Sequence, residues 1–121
     1  DINYNFPDEN SDTPLIIASR LGTIKIVEKL LKKPKIDYNF CNYKSNTALI
    51  EACRNKNLGI VLLLLQQNNI NCLQRNIVNE TALQIARKEG LIHIASIMNI
   101  IINNKTNKKN KKNKIDKCIL S

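Results

Sequence analysis

Apolar residues over the first hundred positions fall into short clusters, each with the spacing of one helix face. Ile24, Val27, Leu30 and Leu31 stand at i, i+3, i+6 and i+7, the stripe of a helix that buries a single side. A shorter apolar run precedes each stripe. Together they predict paired helices: first helices over residues 14–21, 48–55 and 82–89, and second helices starting near Ile24, Leu58 and Ile92. The stretches between pairs, residues 34–46 and 68–80, are rich in Asn and too short for another domain. They suit turns that project from a stack.

The clusters keep a fixed period. Thr13-Pro14-Leu15, Thr47-Ala48-Leu49 and Thr81-Ala82-Leu83 start 34 residues apart, and each is followed by Ala18, Ala52 or Ala86. Further columns are Arg20, Arg54 and Lys88; Gly22, Lys56 and Gly90; Ile26, Ile60 and Ile94; Leu30, Leu64 and Met98. Such a period means stacked helical units and not one closed globular domain. The expected fold is all-α. Each Thr stands where an N-cap is wanted, and Pro14 suits a first helical position. Gly22 and Gly90 can end a helix in the left-handed conformation, where Lys56 would be strained. Ile2-Asn3-Tyr4-Asn5-Phe6 matches Ile36-Asp37-Tyr38-Asn39-Phe40. The chain is therefore read as opening on the end of an earlier unit (residues 1–12), a piece of a longer array. Units at 13–46, 47–80 and 81–102 follow, and residues 1–102 form the array.

This pattern resembles the ankyrin repeat, a unit of about 33 residues with a β-turn, two antiparallel helices and a Thr-Pro-Leu-His-x-Ala signature. The resemblance spans residues 1–102. The units here are one residue longer. The signature His is replaced by Ile16, Ile50 and Gln84, which removes the hydrogen bonds that His supplies in the family. The usual turn Gly is Ser11, Ser45 and Asn79, residues that tolerate turn geometry.

The resemblance implies a helix-turn-helix repeat solenoid with projecting β-turns, acting as a protein–protein interaction scaffold or adaptor, with no catalysis and no cofactor. It places partner contacts at turn tips and at the exposed ends of first helices. At the tips these are Glu9, Asn10, Asp12, Tyr43, Lys44, Asn46, Ile77, Val78 and Glu80. On the helices they are Arg20, Leu21, Arg54, Asn55, Lys88 and Glu89. Arg20, Arg54 and Lys88 would form a row of cations about 10 Å apart. The row either favours an acidic partner segment or is a solvated polar face. Tyr43, Ile77 and Val78 would add an apolar contact.

Composition narrows the chemistry. Aromatic residues are 4% of the chain and Trp is absent, so the core must be aliphatic. Cys41, Cys53, Cys72 and Cys118 include no Cys-x-x-Cys pair, and the single His93 is not at ligand spacing from any of them. A metal site is not expected, and a reducing, cytoplasmic setting fits. Cys53 reads as a small buried hydrophobe. His93 is matched by Lys25 and Gly59, which reads as an exposed position. No Gly-rich phosphate loop and no run of 18 apolar residues occurs.

Most of the charge lies elsewhere. From residue 103 on, seven Lys face one Asp, giving +6 of the net +9 and leaving the array at +3. Composition makes residues 103–121 a disordered Lys/Asn-rich tail. It closes on Cys118-Ile119-Leu120-Ser121, a C-a-a-X box whose terminal Ser usually selects farnesyl. A lipid on Cys118 with upstream lysines would hold the protein at a cytoplasmic membrane face. The alternative is a soluble adaptor segment of a larger protein, with the basic run as a nuclear-targeting or nucleic-acid-contacting signal. The tail has no aromatic to stack on bases, which disfavours nucleic acid. The expected partner is another protein, and the expected state a monomer.

Overall fold

The computed structural model describes the backbone of residues 3–120 and the side chains of residues 3–107. Helices α1 (Pro14–Leu21), α2 (Ile24–Leu31), α3 (Ala48–Arg54), α4 (Leu58–Leu65), α5 (Ala82–Lys88) and α6 (Ile92–Leu120) follow one another in three hairpins. No strand occurs among the described residues. The first helices stack as one layer, with α3 between α1 and α5. The second helices stack behind them, with α4 between α2 and α6.

Local chemistry explains each boundary. The hydroxyls of Thr13, Thr47 and Thr81 accept from the backbone N–H of Ile16, Ile50 and Gln84 at 3.2–3.3 Å. This satisfies a donor that has no partner inside the helix. At the far end, the carbonyls of Ala18, Ala52 and Ala86 accept from the N–H of Thr23, Asn57 and Leu91. These closing bonds need a left-handed residue just before the donor. Gly22 (φ 82°) and Gly90 (φ 76°) supply it freely, whereas Lys56 adopts the same turn at φ 55°. Gln84 partly replaces the signature His, because its Oε1 accepts from the Thr81 N–H at 2.9 Å. Ile16 and Ile50 are fully buried and contribute packing instead.

Leu49, Ile50, Ala52, Cys53, Ile60, Val61 and Leu64 fill the centre of one continuous aliphatic core. Ile26 is 47% exposed while its register mates Ile60 and Ile94 are 2% and 6% exposed. The second helix of each later unit covers this position against the unit before it, and among the described residues α2 has no such neighbour.

Fingers project between the hairpins, and asparagines hold them. The Oδ1 atoms of Asp8, Asn42 and Asn76 each accept two backbone N–H groups, two and four residues on, at 2.9–3.1 Å. Ser11, Ser45 and Asn79 take positive φ near 60° at the tips. Neighbouring fingers join where Tyr43 N–H meets the Asn10 carbonyl and Ile77 N–H meets the Lys44 carbonyl. At the finger bases Asn5 donates to the Lys35 carbonyl and Asn39 to the Asn69 carbonyl.

Helix α6 does not stop at residue 102. Helix α6 continues to Leu120 because no Gly or Pro follows Gly90 and Lys is a good helix former. Ile101 and Ile102 pack against the core, and Lys105 Nζ donates to the Ile70 carbonyl at 2.6 Å. The side chain of Cys118, and Ser121 as a whole, lie outside the described residues.

Candidate protein-binding groove

The fingers meet the ends of the first helices along one side of the stack, where a cavity opens. Here the cation column is not free. Arg20 makes a two-pronged contact with Asp12, both bonds at 3.0 Å, and donates Nε to Glu51 at 2.7 Å. Arg54 lies 3.8 Å from Glu51 and 3.6 Å from Glu80, and Lys88 lies 3.8 Å from Glu80. Acids and bases therefore alternate along a ladder of Asp12, Arg20, Glu51, Arg54, Glu80 and Lys88. Three carboxylates offset three cations, so the column read as a cationic row or a solvated polar face is interleaved with acids.

The ladder is tightest at its first rung. Burial works to raise the Asp12 carboxyl. Hydrogen bonds from Arg20 and Asn42, with the charges of Arg20 and Lys44, outweigh it and hold the group below its ordinary 3.8. The Asp12 hydrogen bond raises the Arg20 guanidinium above its usual range, against an opposing contribution from burial, and Glu51 adds to the rise. Arg20 is fixed in place, not poised for a partner.

Several predicted contacts meet at one cavity of about 280 Å³. Arg20, Tyr43, Lys44, Asn46 and Arg54 line it together with Glu51. Asn46 is 3% exposed, which corrects its reading as a tip residue, as is Asp12 at 5%. The Asn46 Oδ1 is buried without a hydrogen-bond partner. Tyr43, Ile77 and Val78 are 62–66% exposed on adjacent finger tips, with the Lys44 ammonium 5.7 Å from the Tyr43 ring centre. Glu9 and Asn10 are exposed on the preceding finger.

Other predicted residues stand apart from the cavity. Leu21 is exposed at the end of α1. The Asn55 amide folds back to the Glu51 carbonyl at 2.8 Å, and Glu89 pairs with Lys56 at 3.7 Å. His93 is exposed, as its register indicated.

Sequence reasoning passed over two residues that build the site. Glu51 shares its register position with Ile17 and Ile85, so a lone acid in an apolar column was the available signal. Asn42 repeats with Asp8 and Asn76 at the 34-residue period. Its amide also donates to Asp12 at 2.8 Å, which locks the first rung to the second finger.

Cys53 and Cys72 are buried in the core. Burial pushes the Cys53 thiol up to about 12, with Cys72 nearby adding to the rise, and burial raises Cys72 against the opposing charge of Lys105. Neither is suited to act as a nucleophile.

A family model for ankyrin repeats, in three copies, matches residues 1–76. No curated protein matches the chain. The stacked hairpins, the Thr-capped first helices and the projecting fingers agree with that match over more than half the sequence, and the chain belongs to the ankyrin repeat family.

Proposed function

We propose that the groove between the fingers and the first helices is the face through which this protein binds another protein. Ankyrin repeats generally serve as protein–protein interaction modules and are typically not enzymes. The observation that carries the reading is the trio Tyr43, Ile77 and Val78. These large apolar side chains stand exposed on adjacent tips beside a polar cavity. An exposed apolar cluster with a polar surround is the composition of a binding hot spot. The test is affinity capture of a partner, followed by titration against variants. Tyr43→Ala and the pair Ile77→Asp, Val78→Asp are expected to weaken binding at least about tenfold. Ile100→Asp, an equally exposed position on α6, serves as the control and should leave binding unchanged. Equal affinities throughout would sink the assignment.

A membrane tether is a second reading, and it rests on the sequence Cys118-Ile119-Leu120-Ser121 with lysines upstream. No helix among the described residues is long and apolar enough to cross a membrane. With Ser121 as the C-terminus, farnesylation of Cys118 would add one lipid chain, and the basic run would supply the second signal needed for stable attachment. Incubation with farnesyltransferase should shift the protein's mass, and Cys118→Ser should abolish the shift. An unmodified protein under those conditions removes the tether.

A further inference from the structure

The ladder contains one defect. The cations of units one and three have a carboxylate eight residues before them: Asp12 before Arg20, and Glu80 before Lys88. For the cation of unit two, Arg54, that position is Asn46. The consequences are visible at both partners. Arg54 has carboxylates only at 3.6 and 3.8 Å, beyond hydrogen-bond length, and is 40% exposed. The Asn46 side chain makes no hydrogen bond within the molecule, although it is 3% exposed and its Oδ1 is sealed from water. A buried acceptor without a partner is unfavourable and rare. Both groups line the cavity of about 280 Å³, whose charged lining of Asp12, Glu51, Arg20, Lys44 and Arg54 carries one excess positive charge.

From this we infer that the partner supplies the missing carboxylate: an aspartate or glutamate side chain that enters the cavity between Asn46 and Arg54. Its oxygens accept from the Arg54 guanidinium and the Asn46 amide, and Lys44 at the rim adds attraction. Asn46 Oδ1 is sealed, so the amide N–H groups are what the side chain offers to the cavity. The site deepens the groove reading given above and rests on it. It assigns the preference for an acidic partner to one rung and not to a continuous cationic row.

The test uses the full chain and two acetylated peptides, Gly-Ser-Leu-Asp-Leu-Ser-Gly and its Asn counterpart. The side-chain N–H resonances of Asn46 and Arg54 are followed by NMR. The Asp peptide is expected to shift both resonances and to bind about tenfold more tightly than the Asn peptide, as a charge-assisted hydrogen-bonded pair does. Asn46→Asp places the carboxylate within the molecule and is expected to remove the preference while the circular dichroism spectrum is unchanged. Arg54→Gln should reduce it. Equal binding of the two peptides overturns the carboxylate site. Shifts at Tyr43, Ile77 and Val78 in that experiment would leave the groove reading standing. Absence of any shift in the groove overturns the site as well, and the groove reading then depends on the tip variants alone. A preference retained in Asn46→Asp is equally fatal to it.

Discussion

Lys56 holds a backbone φ of 55° where the register mates are Gly22 and Gly90. A side chain in the left-handed region costs about 1–2 kcal/mol. The Lys56–Glu89 contact at 3.7 Å is exposed and offsets little of that. Lys56→Gly is expected to raise stability by about 0.5–1 kcal/mol, after allowance for the greater freedom of Gly in the unfolded chain. Urea unfolding checks this, as a higher midpoint at unchanged slope. Asp12 makes a second prediction at this scale. Its carboxyl is held below 3.8, so its contribution to stability is fully present above that pH. It is lost as pH falls through the lower folded value, because there the unfolded chain takes up the proton first. Asp12→Asn should be less stable than the native protein at neutral pH, and the gap should close as pH drops below 3.8. A constant gap would mean that Asp12 contributes by packing alone.

At the scale of elements, the asparagines explain how the fingers are held. Asn39 donates to the Asn69 carbonyl at 2.8 Å and accepts from Asn71 N–H at 2.9 Å, tying two finger bases together. Asn5 does the same one unit earlier, with Lys35 and Asp37. The next position in the series is Leu73, which can make neither bond, and there the strap series ends. Helix α6 continues in its place, and Lys105 reaches the Ile70 carbonyl. Asn39→Ala is expected to lower stability by about 1–2 kcal/mol through two lost hydrogen bonds. It should also speed hydrogen exchange at Asn71 more than at core amides such as Val61. Uniform acceleration would show that the strap does not act locally. The Asn-rich composition thus has a physical role inside the array, which its enrichment in turns only hinted at.

Over the whole molecule, packing divides the cysteines and charge divides the chain. Cys53 and Cys72 are sealed in the core, and Cys41 is half-buried on a finger. With the Cys53 thiol pushed up to about 12, little thiolate forms near neutral pH. Iodoacetamide at mildly alkaline pH should modify Cys41 in the native protein, and Cys53 and Cys72 only after unfolding. Peptide mapping reads the result, and modification of Cys53 at the rate of Cys41 would contradict the packing. The array itself is close to neutral on its groove side, because Asp12, Glu51 and Glu80 lie between the cations.

The sequence by itself determined the period, the paired helices, the Thr caps and the exposed tips Tyr43, Ile77 and Val78. These follow from spacing and from local backbone bonding, which act over a few residues and repeat without change. It did not reveal that Glu51 reaches Arg20, that Asn42 binds Asp12 across two fingers, or that Asn46 is buried. Those contacts join residues about thirty positions apart, and stacking alone sets their distance. A column of three cations reads as positive charge along the chain. Only the fold brings each beside the carboxylate that offsets it, and only there does the one rung without a carboxylate of its own become visible.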